Sequence, residues 1–246
     1  MSELLCERDG PLAVVRLHRP RVRNALSGAL METLRGAALA LAADPGVRAI
    51  VLTGDGPGFC AGSDLKELAG LDREAVVRHE EAAGAVARTL QRLEVPVVAA
   101  VEGFAIGGGF LLATSCDLVV SAADARWHLP EVKLGWVPPW GLSGLVDRVG
   151  PARARTLVWG AAPITGAEAC RLGVVDELAG PGAALSRAKY HAARLALLPG
   201  HAVAAAKTAL AADARALDEV CSAAFADGLT RQPALASLAG YAARRA

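Results

Sequence analysis

The sequence contains two glycine-rich segments about 45 residues apart, Gly58-Phe59-Cys60-Ala61-Gly62-Ser63-Asp64-Leu65-Lys66-Glu67-Leu68 and Gly103-Phe104-Ala105-Ile106-Gly107-Gly108-Gly109. Each segment follows a short apolar run that is typical of a buried strand, at residues 49–52 and 97–101, and each precedes a helical pattern. A bare backbone at the start of a helix offers N–H groups that have no acceptor within the helix. Two such segments aimed at one point would form an oxyanion hole, a pair of donors for a carbonyl oxygen that gains charge. One segment alone would indicate only a tight turn from strand to helix.

Length and charge limit the classes of protein to which the chain can belong. Its 246 residues suit one α/β domain, or one such domain with a helical tail. The 26 Lys and Arg residues nearly balance the 25 Asp and Glu residues, so we expect neither nucleic acid nor a membrane surface as a partner. No apolar run reaches the length of a transmembrane helix.

The cysteines indicate a reduced compartment and no metal site. There are five of them, and none forms a Cys-x-x-Cys pair. The first ten residues also lack the apolar core of a signal peptide, so we expect a cytoplasmic protein. Cys60 lies in the first glycine-rich segment among small and apolar neighbours, which favours a small packing residue over a nucleophile.

The rest of the chain alternates strand patterns with helical patterns, which predicts a sheet layered with helices. Strands are predicted at 12–17, 47–52 and 118–121 and directly after Pro96; helices are predicted from Ser27 to about 44 and at 73–93, 108–115, 152–159, 166–171, 183–197, 202–212 and 217–230. The pattern after residue 150 is mostly helical and is interrupted near Leu197-Leu198-Pro199-Gly200. We therefore expect a core at 1–197 and a C-terminal helical region at 198–246.

Four motifs occur in an order that resembles the enoyl-CoA hydratase/isomerase (crotonase) superfamily. The two glycine-rich segments, the second followed by Cys116-Asp117-Leu118, are similar to its two oxyanion loops. Leu129-Pro130-Glu131-Val132-Lys133-Leu134-Gly135 is similar to its catalytic-carboxylate segment, and Arg19-Pro20-Arg21-Val22-Arg23-Asn24-Ala25-Leu26 to its nucleotide-side loop. The resemblance extends from about His18 to the C-terminus. It implies an α/β fold, a crotonase-like spiral of strand-strand-helix repeats with a C-terminal helical trimerisation region.

The resemblance also implies how the site works on an acyl-CoA thioester. The backbone N–H groups of Ser63 and Gly108 would donate to the thioester oxygen. Most relatives carry Ala or Gly in place of Ser63, but a serine keeps the N–H. Glu131 matches a catalytic glutamate, and the apolar residues after it would raise its pKa and make it a stronger base. Removal of the α-proton would give an enolate whose oxygen the two donors stabilise.

Two positions depart from the hydratase pattern of this superfamily. Hydratases carry a second glutamate where this chain has Leu111, and many hold the reacting water with a glycine N–H where it has Pro139, which has no N–H. A leucine there, and a proline followed by an aromatic residue such as Trp140, resemble Δ3,Δ2-enoyl-CoA isomerases with a single glutamate. Trp136 and Trp140 would either line the acyl pocket or pack in the core, and the sequence leaves both open.

For coenzyme A itself, the resemblance assigns cations to the phosphates and small residues to the adenine: Arg21, Arg23, Ala25, Ala61 and Lys66. A surface Arg or Lys is otherwise simply solvated. Phe225, Arg244 and Arg245 near the C-terminus could reach a coenzyme A site, either in the same chain or in a neighbour. No cofactor is expected beyond the coenzyme A of the substrate.

Three functions follow from these motifs. The single glutamate favours an enoyl-CoA isomerase, because one base can take a proton and return it two carbons away. The alternatives are a hydratase or another crotonase-type reaction, such as a decarboxylation or a secondary-metabolite step, and a non-catalytic acyl-CoA binding subunit. Retention of Glu131 argues against the last. Small apolar residues after Leu197, such as Ala204-Ala205-Ala206, need a partner surface in the same chain or in a neighbour. The resemblance implies that the partner is a neighbouring chain in a homotrimer or hexamer.

Overall fold

The computed structural model describes residues 2–160, 162–210, 214–230, 236 and 239–240. Its strands are β1 Leu4–Asp9, β2 Leu12–Leu17, β3 Ala49–Gly54, β4 Val97–Val101, β5 Phe104–Ile106, β6 Leu118–Ala122, β7 Arg126–His128, β8 Ile164–Thr165 and β9 Glu177–Ala179. Its helices are α1 Gly28–Ala43, α2 Leu65–Leu68, α3 Arg73–Arg92, α4 Gly108–Thr114, α5 Glu131–Leu134, α6 Leu142–Trp159, α7 Gly166–Leu172, α8 Ala184–Ala196, α9 Gly200–Leu210 and α10 Ala214–Gly228.

The larger of two sheets has six strands in the order β1-β2-β3-β4-β6-β9. Strand β1 runs antiparallel to β2, and every other neighbouring pair is parallel. Parallel strands are normally covered on both faces, which explains why their sequences are continuous apolar runs and do not alternate. Val97–Val101, for example, is buried at all five positions.

The smaller sheet has the order β5-β7-β8, and two isolated bridges extend it. The bridges pair Cys60 with Ala105 and Leu26 with Ser63, both in the parallel sense. Successive turns of the chain therefore place one strand in the large sheet, one strand or bridge in the small sheet, and then a helix. Strands β4 and β5 with α4 form one such turn. The predicted α/β spiral of strand-strand-helix repeats is confirmed.

Two apolar layers hold the large sheet. On one face, α8 packs against β3, β4 and β6 through Ala184, Ala188 and Ala192. These small residues allow the helix to approach the sheet closely. The other face carries the main core, which includes residues of α1, α3, α4 and α6. The glycine-rich segments lie on this second side, between the large sheet and the helices.

Most predicted elements are observed, and the differences have local causes. Ser27 Oγ accepts the Leu30 N–H at 3.1 Å and Asp72 Oδ1 accepts the Ala75 N–H at 2.8 Å, so side-chain caps begin α1 and α3 where the sequence predicts these helices. The strand predicted from residue 47 begins at Ala49. The helix predicted at 152–159 is the second half of α6, which kinks at Gly150. Strands β1, β5, β7, β8 and β9 were not predicted, and apart from β1 none exceeds three residues.

Helices α9 and α10 follow the interruption near Leu197, as the helical patterns predict. Residues 211–213 of the predicted 202–212 helix lie outside the described residues. Helix α10 packs against α3 and α6. Its Phe225, with Leu229 directly after the helix, joins an apolar cluster with Trp136 and Val76. The division at residue 198 into two regions stays a prediction. No helix in the described ranges has the length and hydrophobicity to cross a membrane.

Candidate active site

The two glycine-rich segments lie side by side in the small sheet. The Ile106 N–H donates to the Cys60 carbonyl at 3.0 Å, and the Phe59 N–H donates to the Phe104 carbonyl at 3.0 Å. Beyond these bonds the two segments turn into helices α2 and α4. Within the described part of the chain, the N–H groups of Ser63 and Gly108 have no acceptor. These are the two donors that the sequence predicts for an oxyanion hole.

Glycines let these two amides approach each other. Gly62 has a φ of +89°, and a Cβ atom there would lie 2.8 Å from the Ile106 carbonyl oxygen and 3.0 Å from the Gly108 nitrogen. A Cβ atom on Gly108 would lie 3.5 Å from the Ser63 nitrogen and 3.1 Å from Cζ2 of Trp140. The space in front of Gly108 is therefore shared with the Ser63 amide, and any side chain at 108 would fill it.

Buried polar groups fix the first loop from the side of the N-terminal segment. Asn24 is fully buried, and its Nδ2 donates to the carbonyls of Gly58 and Phe59 at 2.9 and 3.1 Å. Arg19 pairs with Asp64 at 3.0 Å, and Asp64 in turn caps helix α2. The loop position thus depends on residues about 40 positions earlier in the chain.

Glu131 begins helix α5 and faces the same space from the opposite side. Its side chain is 8% exposed, and its Oε2 atom has no hydrogen-bond partner among the described residues. A Cβ atom on Gly107 would lie 3.0 Å from Glu131 Oε1, so the carboxylate rests against the second loop. Burial raises the pKa of Glu131 to about 8, with a smaller contribution from the charge of Glu80. A carboxyl with this pKa is a strong base near neutral pH.

A pocket of about 590 Å³, including space open to solvent, connects these groups. Leu111 is 1% exposed and lies at the pocket wall, and Pro139 lies there as well. Trp136 and Trp140 are both buried and both line the pocket, so the two interpretations of these residues are compatible. The remaining wall is almost entirely apolar: Leu65, Leu68, Val76, Ile106, Leu134, Phe225 and Leu229.

The residues assigned to coenzyme A differ in exposure, and two of them are joined by a backbone hydrogen bond. The Ala61 N–H donates to the Arg23 carbonyl at 3.0 Å, which joins the N-terminal loop to the oxyanion loop. Ala61 also lines the pocket, whereas Arg21, Arg23 and Lys66 are exposed and Ala25 is buried. Phe225 lines the pocket of its own chain. Arg244 and Arg245 lie outside the described residues.

The pocket wall contains a second carboxyl group that no sequence motif indicates, that of Glu80 in helix α3. Glu80 and His79 are 4% and 7% exposed. Their positions relative to Val76 and Ala83 place them on the buried face of the helix, where the spacing of buried residues is i, i+3, i+4 and i+7. Two ionisable residues on an otherwise apolar helix face were the signal that could have identified them.

Cys60 is not a nucleophile. It is fully buried, and burial raises the pKa of its thiol to about 12. No group of three or more His, Cys, Asp or Glu side chains in the described ranges is arranged to hold a metal ion.

Comparison with known proteins places this geometry in a family. The family model described as enoyl-CoA hydratase/isomerase matches residues 7–233. The chain belongs to the enoyl-CoA hydratase/isomerase family. An enoyl-CoA hydratase/isomerase structure from Mycobacterium paratuberculosis superposes with a TM-score of 0.87 at 26% identity, covering 97% of this chain and 98% of that one.

Curated members of the family are similar over most of their length. The crotonyl-CoA hydratase of Syntrophomonas wolfei is 34% identical over 196 residues, which are 79% of this chain and 75% of the relative. The 2,3-dehydroadipyl-CoA hydratase of Escherichia coli is 36% identical over 211 residues, 85% and 82% of the two chains. A putative enoyl-CoA hydratase of Thermus thermophilus is 40% identical over 190 residues, 76% and 75%.

Proposed function

We propose that this member of the enoyl-CoA hydratase/isomerase family forms an enolate from an acyl-CoA thioester and uses Glu131 as its acid–base group. The observation that carries the proposal is the buried Oε2 atom of Glu131, which has no partner among the described residues and faces the pocket that Ser63 and Gly108 line. Burying an unpaired carboxyl lowers stability, so its presence in a cleft indicates a functional role.

The reaction that we propose is the isomerisation of a 3-enoyl-CoA to a 2-enoyl-CoA. Glu131 takes a proton from C2, and the electron pair of that C–H bond moves onto the thioester oxygen. The N–H groups of Ser63 and Gly108 stabilise the resulting dienolate. Glu131 then delivers the proton to C4, the double bond comes to lie between C2 and C3, and the carboxylate is restored. The apolar wall that includes Leu111 excludes water, which this reaction does not need.

Hydration of a 2-enoyl-CoA is the second candidate, because the curated relatives are named as hydratases. Leu111 and Pro139 count against it, since a leucine side chain cannot move a proton and a proline has no N–H to donate to the reacting water. A direct comparison decides between the two. Purified protein is given a 3-enoyl-CoA or a 2-enoyl-CoA of the same chain length, and initial rates are measured. We expect isomerisation to be much faster. Fast hydration without isomerisation would overturn the isomerase, and binding without turnover of either would indicate an accessory acyl-CoA binding subunit.

For coenzyme A we propose that Arg21, Arg23 and Lys66 contact phosphates. The adenine would then lie near the backbone of Ala25 and Ala61. The exposure of the three cations beside the first loop supports this arrangement.

We also propose a trimer or a hexamer as the assembled form. Helix α9 has no buried residue in the described chain; Leu210 at its end and Leu197, which follows α8, are each 85% exposed. Apolar surface of this kind is usually covered by a partner. Light scattering at micromolar concentration should give three or six times the mass of one chain, and a monomer mass would contradict the proposal.

A further inference from the structure

Glu80 makes a hydrogen bond that links helix α3 to the pocket. Its Oε2 accepts the indole N–H of Trp140 at 2.9 Å, and both side chains are buried. A buried carboxylate costs free energy unless it is paired. A backbone carbonyl would accept the Trp140 N–H at a lower cost in desolvation free energy than a buried carboxylate does. Packing alone therefore does not explain a carboxylate at this position.

Trp140 is clamped between helix α3 and the oxyanion hole. On the α3 side, a Cβ atom on Gly84 would lie 3.0 Å from the Trp140 Cβ. On the other side, Cζ2 of the indole is 3.1 Å from the Cβ position of Gly108. In an indole, Cζ2 is bonded to the ring carbon that carries Nε1. The edge of the indole ring that donates to Glu80 is therefore the same edge that faces Gly108.

His79 lies next to Glu80 on helix α3. Its Nδ1 is 3.4 Å from Glu80 Oε1, and neither ring nitrogen has a hydrogen-bond partner among the described residues. Burial pulls the pKa of His79 down, but Glu80 and Glu67 outweigh this effect and the pKa lies above its usual value. His79 and Glu80 thus form a buried ionisable pair, and Trp140 donates to the carboxyl of that pair.

We propose that Glu80 is a positioning residue for enolate formation: it holds Trp140 against Gly108, and its charge acts on Glu131 across the pocket. The inference rests on the proposed function, because it needs Glu131 and the two loop amides to act on a thioester. It gives helix α3 a part in the reaction beyond lining the pocket.

The charge effect has a defined direction. Among the described residues, Glu80 is the charged group that acts on Glu131, whereas Glu80 and Glu67 both act on His79. A negative neighbour disfavours the ionised form of Glu131 and so raises its pKa. Removing that charge should therefore let Glu131 ionise at a lower pH and make it a weaker base.

The test is α-proton exchange of butyryl-CoA in heavy water, followed by NMR across a range of pH. This saturated thioester needs only the base and the oxyanion hole, so the readout does not depend on whether the natural reaction is isomerisation or hydration. Trp140→Phe keeps a ring beside Gly108 but removes the donor to Glu80. Glu80→Gln keeps an acceptor for Trp140 but removes the charge. Glu81→Gln is the matched control, because Glu81 is the next residue on α3 and is exposed.

We expect Trp140→Phe to lower the maximal exchange rate about tenfold, with less than about a twofold change in the affinity for butyryl-CoA. Glu80→Gln should move the acidic limb of the pH profile at least about half a pH unit lower, with a lower plateau rate. Glu81→Gln should match the wild type. If the wild-type protein exchanges the proton but Trp140→Phe and Glu80→Gln leave rate and profile unchanged, Glu80 only fills space. If Glu80→Gln does not fold, Trp140→Phe decides alone. Absence of exchange in the wild type would instead reject the proposed function.

Discussion

The proposed oxyanion hole and the proposed acyl pocket meet at Gly108, yet they are built in different ways. The hole uses backbone N–H groups from two loops, each positioned by neighbouring bonds of the small sheet. The pocket uses side chains from helices α3, α5 and α10, which are far apart in sequence. The positions of backbone donors are set by the local conformation of their loops. The shape of a pocket lined by side chains is set by the packing of elements that are distant in sequence. The two regions should therefore respond differently to substitution. In the hole, a larger side chain should block the backbone donors. In the pocket, the loss of an ionisable side chain should remove the acid–base group.

The largest effect is expected where bulk enters the hole. In Gly108→Val, the new side chain would occupy the space before the Ser63 nitrogen, within 3.5 Å, and would press on Trp140. Both donors would become inaccessible, so we expect turnover to fall by more than about 1,000-fold, beyond the usual cost of one donor. Initial-rate assays with the best substrate measure this. Gly180→Val is the control, because Gly180 is exposed and nothing lies within 4 Å of its Cβ position. An active Gly108→Val protein would mean that the thioester oxygen binds elsewhere.

Loss of chemistry on the pocket side should be the next largest effect. Glu131→Gln keeps the size of the side chain but removes its ability to accept a proton. We expect turnover to fall at least about 100-fold, with acyl-CoA affinity largely kept. Glu131→Asp retains a carboxylate and should recover part of the rate. Near-normal turnover of the glutamine variant, measured with 3-enoyl-CoA, would show that another group is the base.

The same substitution should raise stability, which no substitution in the oxyanion loops is expected to do. The pKa of Glu131 rises from 4.5 to about 8 on folding, so wild-type stability falls as the pH rises through that interval. A glutamine stays neutral and avoids this loss, which is on the order of a few kcal/mol above pH 8. We expect the Tm of Glu131→Gln to exceed the wild-type Tm by several degrees at pH 8.5 and by little at pH 4.5. Glu32→Gln, on the exposed side of α1, should show no such difference. Equal Tm values at both pH values would mean that Glu131 is well solvated.

The contrast between the regions also explains how far sequence reasoning could reach. The pair of glycine-rich segments indicates an oxyanion hole because each places a bare backbone between a strand and a helix, whereas Ser63 and Gly108 are assigned as the donors through the resemblance to the family. Glu131 could be assigned only through a resemblance to a family motif, since an isolated glutamate is usually solvated. The link between Glu80 and Trp140 spans 60 residues, and its register depends on how α3 packs. Short strands such as β8 have too few residues to show a period, and their pairing is set by the tertiary fold.

The smallest effect should come from Ser63, although it lies at the centre of the hole. Its contribution to the proposed reaction is the backbone N–H, which any residue except proline supplies. The Ser63 hydroxyl makes no hydrogen bond within the described residues, and alanine would keep the loop conformation. We therefore expect Ser63→Ala to change turnover by about twofold or less, the scale of a substitution that removes no important contact. Initial rates with a 3-enoyl-CoA measure this, and Gly62→Ala is the contrasting variant, because its Cβ would collide with the second loop at 2.8 Å. A loss of 100-fold in Ser63→Ala would mean that the hydroxyl itself takes part in the reaction, and the hole would then no longer be a purely backbone device.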